Sequence, residues 1–489
     1  MTTSIARLPR PSWGRIVPFA LVLCGFMAAL AVGLSVGYPA PSTVSLAVLV
    51  CVALILALVF KRPFAAYLGI AASVVMLVVL ELSSGRGLNL LDLLLLPATL
   101  AGFFGSARRD ALAGDAAESG ECHDAIRGAQ KRLSRAAAVY FGLAALSIVR
   151  MFFDGRAGAG TNSLFSLVRA AQGLLLFPLG LWFLRSERRI RHTITAMCGA
   201  TLLLLAVNIP YKLLLGVKRA GMTWFVNQPD WPIADPNEGA AAMLIIVALL
   251  VVLRKTRPHW GQLILTCAAF VMLVMTSSRS GLLAFIVFGA LLLPRARWGP
   301  VLATGILLAL ALPLVPHDYW ERMRHTLLMQ RGTSDTFSSM IRFIAWGTAA
   351  NAFVHNPLLG VGYLGLLSVS SAYNDLGLRT VAESYALEIA ADLGIPGLIA
   401  LGVVITRLFQ LGHAVRRVAP PGSIGHQMAT LIAPLLIGIL VANLTASSLV
   451  GMVGVAQLAL WSVMMTRAGH EALKGGSRAP ALTSRAAPG

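Results

Sequence analysis

The sequence predicts an all-α, polytopic integral membrane protein of about fourteen (twelve to fourteen) transmembrane helices with a large helical loop on one side. Three observations carry that expectation. Of 489 residues, 57% are hydrophobic and only 12% charged, with a mean hydropathy of +0.77; a soluble domain carries roughly 25% charged residues. The apolar residues fall in blocks that repeatedly reach the ~20 residues needed to cross a bilayer. Basic residues gather in alternate connections, as the positive-inside rule requires. A soluble enzyme, a disordered chain and a disulfide scaffold are excluded.

The blocks follow in order. The first, 16–37, comes after Arg7, Arg10 and Arg15, which assign the N-terminus to the cytoplasm. It is too long for a cleavable signal and flows into the next span. Blocks 42–60 and 64–82 flank Lys61–Arg62, and 88–106, with Asp92 and Pro97, is the weakest of the set. A charged inner loop, 107–134, holds Arg108, Arg109, Arg127, Lys131 and Arg132 and precedes block 136–153. Blocks 164–184 and 193–214 flank Arg185, Arg188, Arg189 and Arg191; 239–253 and 261–277 flank Arg254, Lys255 and Arg257; 281–294 and 299–315 flank Arg295 and Arg297. Blocks 395–411 and 427–447 flank Arg416 and Arg417, and 450–466 is the last. The chain thus divides into N-terminal transmembrane helices (1–315), an outer loop (316–394), C-terminal transmembrane helices (395–466) and a disordered cytoplasmic tail (467–489). An even number of crossings places both termini in the cytoplasm.

The same topology explains the charge. A net +20 and pI near 10.8 would suggest nucleic acid in a soluble protein; here the basic residues serve topology, and no nucleic-acid partner is expected. The cysteines, Cys24, Cys51, Cys122, Cys198 and Cys267, form no CxxC and no metal spacing. No internal repeat stands out, which counts against transporters built from repeated halves.

Nearly eighty residues of the outer loop are neither membrane-spanning nor low-complexity, and a long ordered loop is usually functional. Segment 317–330 mixes Tyr319, Trp320, Met323, Leu327 and Leu328 with Arg322, Arg324 and His325, suiting a helix that lies on the membrane. Segment 336–354 reads as a helix ended by His355-Asn356-Pro357, and another runs from about Thr380 to Leu393, ended by Gly394 and Pro396.

Three places on the outer side carry chemistry. Ser278-Arg279-Ser280-Gly281 separates two spans, so Arg279 is no positive-inside anchor. It either snorkels to headgroups or faces a ligand path, with flanking serines as further donors. Arg342 and Trp346, four apart, share a helical face ahead of Asn356-Pro357-Leu358-Leu359-Gly360-Val361-Gly362, which turns sharply. Glu383, with Gly394 eleven residues later, is either a helix N-terminal charge favoured by the dipole or a general base at the membrane face.

Taken in this order, these segments resemble the bacterial O-antigen ligase and O-antigen polymerase superfamily, over roughly Gly221 to Gly397. Asp235-Pro236-Asn237-Glu238 looks like the family's Pro-Asn element, and Arg279 with Leu283 matches its Arg-x-x-x-Leu element. Arg342, Trp346 and the Asn356–Gly362 turn look like its loop arginine and turn. The ligase His-Asn/Ser/Gln-x9-Gly element falls on Glu383-Ser384 and Gly394, with glutamate in place of the histidine base. That departure shifts the expectation toward polymerisation.

The resemblance implies a GT-C-like glycosyltransferase of the bacterial inner membrane with a periplasmic active site. It would polymerise undecaprenyl-diphosphate-linked oligosaccharide units into O-antigen or exopolysaccharide. Glu383, Arg279 and Arg342 would be catalytic, and Arg279, Arg342, Arg379, Ser278, Ser280 and Asn237 would bind diphosphate and sugar. Its partners would be the lipid-linked glycan donor, a glycan or lipid-linked acceptor, membrane lipids and a chain-length regulator. No Asp-x-Asp pair or histidine cluster marks the loop, so neither metal nor cofactor is expected. Two alternatives stand beside this reading. One is an O-antigen ligase acting on lipid A core or another acceptor. The other, of a different class, is a secondary transporter or flippase using Asp92, Arg150 and Arg169 as coupling sites.

Overall fold

The computed structural model describes residues 63–76, 79–81, 87–89, 121–215, 236–259, 261–276, 278–293, 324, 334–444 and 452–477. Among these described residues the architecture is helical apart from one small hairpin. In order come α1 (Pro63–Met76), β1 (Val79–Glu81), β2 (Gly87–Asn89), α2 (Glu121–Phe153), α3 (Ala157–Leu174), α4 (Leu176–Phe183) and α5 (Glu187–Leu215). Then follow α6 (Pro236–Thr256), α7 (Gly261–Met275), α8 (Arg279–Leu292), α9 (Ser334–His355) and α10 (Leu366–Val369). The last are α11 (Tyr385–Val418), α12 (Ile424–Ala442) and α13 (Met452–Ser477). Among the described residues, five helices are long and apolar enough to cross a membrane: Cys122–Phe153, Ala157–Phe183, Gly239–Thr256, Tyr385–Val418 and Ile424–Ala442. The expected spans 16–37, 42–60 and 299–315, and the expected helix 317–330 apart from Arg324, lie outside the described residues.

Three sequence expectations are corrected. The span 64–82 is shorter, because α1 stops at Met76 and Val79–Glu81 pairs antiparallel with Gly87–Asn89, Leu80 opposite Leu88; the hairpin also removes residues 88–89 from the expected span 88–106. The sequence there interrupts the apolar run with serines at 83 and 84 and glycines at 85 and 87, a composition that favours turns. Residues 121–134, expected within a charged loop, open α2; Ile126, Ala129, Leu133, Ala136 and Tyr140 recur at helical spacing and are all buried. Residues 467–477, expected to open a disordered tail, are helical instead, since α13 continues to Ser477 with Arg467, Ala468 and His470 buried, and 478–489 lie outside the described residues. Arg467 donates to the Leu181 carbonyl and His470 stacks on His123, so tertiary partners hold a stretch whose composition alone suggests disorder.

The core centres on α6. Ala240 through Leu250 are buried without a break, as expected of a helix apolar all round and surrounded by others. It packs against α5, α7, α8 and α12. Small residues set the spacing: a Cβ placed on Gly281 of α8 would come within 2.2 Å of the Ala240 Cβ, so the two backbones approach closely. On α12, Gly438 faces Leu244, Ala284 and Phe288 in the same way. A second core joins α2 to α11 through Tyr140, Ala144, Ile148, Tyr385, Ile389 and Leu393. Helix α12 touches α6, α8 and α11, and so links the two cores.

Candidate functional site

The first cluster sits where α6 and α8 begin. Ser278 is the N-cap of α8; its Oγ accepts from the Gly281 amide at 3.0 Å, satisfying one of the helix's open donors. The same hydroxyl donates to Asn237 Oδ1 at 2.7 Å, and the Ser280 hydroxyl donates to it at 3.1 Å. Asn237 belongs to the first turn of α6, whose first residue, Pro236, suits a position that needs no amide donor. Ser278 and Ser280 are buried, and Arg279 between them occupies the first helical position, partly exposed. The backbone on both sides of Arg279 is therefore fixed by one asparagine.

The second cluster joins α9 to the segment before α11. Arg342 Nε donates to Glu383 Oε2 at 2.6 Å, across 41 residues. The pair is half-open, with 24% of the arginine and 40% of the glutamate side chain exposed. Neither the Arg342 Nη groups nor Glu383 Oε1 makes a hydrogen bond or ion pair among the described residues. Glu383 has φ 46°, in the left-handed region that costs a non-glycine residue about 1–2 kcal/mol. Such strain persists only where neighbours enforce it. On one side Ala382 is fully buried in a small core with Ala349, Ala352 and Ala391; on the other, the Tyr385 amide donates to the Asn443 carbonyl at 2.9 Å.

The loop ahead of Glu383 is docked onto α11. The amides of Val361 and Gly362 donate to the carbonyls of Ala391 and Asp392 at 2.8 and 3.0 Å, and Ile395 donates back to the Pro357 carbonyl at 2.8 Å. Two glycines permit this. Gly394 leaves helical geometry (φ 67°, ψ −160°), so Tyr385–Leu393 and the span after it are two helical segments meeting at a kink, with Pro396 opening the second. Gly360 (φ 62°) lies so close that an added Cβ would come within 2.2 Å of the Asp392 carbonyl carbon and oxygen. The buried Asp392 carboxylate accepts from the amides of Leu364 at 2.8 Å and Leu366 at 3.1 Å. Ser147 of α2 accepts from the Tyr363 amide at 3.0 Å. Burial, with Tyr385, Asp392 and Glu388 nearby, pushes the Tyr363 phenol up, so it stays neutral.

Arg150, weighed from sequence as a transport coupling site, holds this turn instead. Its Nη groups donate to the Gly360 carbonyl at 2.8 Å and to Asn356 Oδ1 at 3.3 Å. Asn356 in turn donates to the Tyr373 hydroxyl at 2.8 Å. Further on, Asn374 accepts from the Leu378 amide at 2.9 Å, and Ser370 accepts from the Thr380 amide at 2.9 Å.

Of the residues singled out from sequence, Asn237, Ser278, Arg279 and Ser280 come together in one cluster, and Arg342 and Glu383 in the other. Arg379 is exposed and makes no ion pair among the described residues. Glu383 meets Arg342 rather than Arg379, because the helix expected from Thr380 starts only at Tyr385, and a non-helical segment does not place residues four apart on one face. Asp92 lies outside the described residues. Sequence reasoning missed Asp392, Ser147 and Asn443. For Asp392 a signal existed: Glu388 and Asp392 stand four apart in an otherwise apolar stretch, where a carboxylate needs a reason to be. Among the described residues, no three His, Cys, Asp or Glu side chains stand together as a metal site would require.

No curated protein matches the chain. Residues 263–402 match the family model described as O-antigen ligase, a stretch that holds Arg279, Arg342, Glu383, Asp392 and Gly394. Over that stretch, less than a third of the chain, the sequence is similar to the O-antigen ligase family, which supports membership in the O-antigen ligase and polymerase superfamily.

Proposed function

We propose that the protein transfers a glycan from a polyprenyl-diphosphate carrier to a sugar hydroxyl, and that it polymerises lipid-linked repeat units at the periplasmic face of the inner membrane. The observation that carries this reading is the Arg342–Glu383 pair, a carboxylate held by a guanidinium with one oxygen and both Nη groups open among the described residues. Glu383 Oε1 takes the proton of the acceptor hydroxyl, a step typically worth roughly 10²–10⁴-fold. The acceptor oxygen then bonds to the anomeric carbon as the bond from that carbon to the diphosphate oxygen breaks. The diphosphate departs with the electron pair and needs cations more than it needs an acid. Arg279 and the Nη face of Arg342 supply them, preorganised before charge develops. Asn237, Ser278 and Ser280 serve the diphosphate site by fixing the backbone at Arg279. Arg379, unpaired among the described residues and exposed, adds a cation at the loop's edge.

The test replaces Arg279 and Arg342 by Ala and Glu383 by Gln, with membrane expression checked for each. Purified protein given a lipid-linked repeat unit should then yield no ladder of products. Long polymer from any well-expressed variant overturns the role of that residue. The family description favours a second reading, in which finished polymer is ligated to lipid A core or another acceptor. Deletion separates the two: loss of a polymerase leaves single repeat units on the carrier or core, and loss of a ligase leaves long polymer on the carrier.

A further inference from the structure

Helix α9 is apolar on two opposite sides. One side buries Ala345, Ala349 and Ala352 in the protein. The other, half a turn away at i, i+3 and i+4 spacing, presents Met340, Phe343, Gly347, Ala350 and Val354. Its large members are open, Phe343 at 68% and Val354 at 69% exposure. Trp346 lies beside this stripe, edge-on to Phe343 at 5.5 Å, and polar, exposed Asn351 and His355 border its other side. A soluble helix has no reason to carry a second apolar face. This one is also not apolar enough to cross the membrane.

The stripe does not end at His355. Leu358, 71% exposed, and Leu359 follow it on the turn, and the Pro357 carbonyl is bonded to the amide of Ile395. Ile395 begins the exposed apolar series Ile395, Ile399 and Val403 on α11, a helix long and apolar enough to cross a membrane. The open face of α9 is therefore joined, through the Leu358-Leu359 turn, to an exposed apolar series on that helix.

We infer that α9 is an interfacial helix whose Met340–Phe343–Val354 face docks on the bilayer, immersed at the headgroup and acyl boundary of the leaflet where the site opens. An aromatic and aliphatic face with a polar border has the chemistry of such a helix. Arg342 lies on the flank between the lipid face and the protein face, so the depth of α9 fixes the height of the Arg342–Glu383 pair above the acyl chains. Docking stands whether or not the pair performs glycosyl transfer.

The experiment uses the full chain in liposomes, with Cys24, Cys51, Cys122, Cys198 and Cys267 replaced by Ser. A fluorophore is attached at one new cysteine at a time, Phe343→Cys or Val354→Cys on the stripe and Asn351→Cys or His355→Cys on the border. Lipids brominated on the acyl chain should quench labels at 343 and 354 about twofold or more over those at 351 and 355, and aqueous iodide should show the reverse order. Stripe labels quenched by iodide as strongly as border labels mean that the face is in water, and the inference fails. Stripe labels shielded from both quenchers mean that another part of the chain or a second copy covers the face, and the inference fails equally.

Discussion

Arg279 stands at the first turn of a helix packed among apolar helices, whereas Arg342 and Glu383 meet across a helix and a loop segment that only their anchors hold. Around Arg279 the neighbours are buried: Ser278 and Ser280 share Asn237, and Gly281 lies against Ala240. Around Glu383 the chain is irregular and half-open, with a strained backbone fixed by Ala382 and by the Tyr385–Asn443 bond. The difference teaches that one cation inherits its position from the membrane helices themselves. The ion pair inherits its position from a handful of long-range polar contacts. Loops carry function because a scaffold positions them, and here that scaffold is the kinked start of α11.

The comparison breaks most severely at Gly360. An added Cβ there meets the Asp392 backbone at 2.2 Å in a left-handed conformation, so Gly360→Ala should cost about 3–4 kcal/mol and abolish transfer. Gly377→Ala, with φ 63° and nothing within 4 Å, should cost only about 1 kcal/mol; thermal unfolding of the two variants measures the gap. Next is Asp392→Ala, which orphans the amides of Leu364 and Leu366 and should cost about 2–3 kcal/mol. Its activity loss should follow loosening of the loop, seen as faster amide exchange over 360–366, with the α6–α8 region unchanged. Asn237→Ala acts on the other region: about 1–2 kcal/mol of stability and roughly tenfold in turnover through a misplaced Arg279. Amide exchange at the docked loop should stay as in the parent protein.

The smallest stability effect sharpens the contrast most. Glu383→Gly removes left-handed strain of about 1–2 kcal/mol and loses a half-exposed ion pair worth about 0.2–1 kcal/mol, so the melting temperature should not fall while transfer disappears. A clear drop in melting temperature would show that Glu383 is held for stability rather than chemistry.

How far sequence reached can be read from particular residues. The limits of α9 were legible within two residues, because Asn356-Pro357 ends a helix by local sterics. Gly394 was legible as a break for the same kind of reason. The hairpin at 79–89 was not, since a run of valine and leucine reads alike as helix or strand until its pairing partner is known. The start of α2 was hidden by its charges, although its apolar spacing was already present. Arg150 shows the limit for the site: its sequence context marks a costly intramembrane cation, but nothing local reveals that the cation holds the Gly360 turn.

By itself the sequence determined that the chain enters a membrane, where many of its helices lie, and which arginines and carboxylate deserve chemical attention. Those are local properties, fixed by transfer free energies of short blocks and by backbone sterics at proline and glycine. Tertiary structure alone decided that Glu383 meets Arg342 and not Arg379, that one asparagine on α6 fixes both serines beside Arg279, and that Asp392 binds the loop to the kink of α11. These contacts join residues 26 to 43 positions apart, and only the packing of helices against one another brings such distant groups within hydrogen-bond reach.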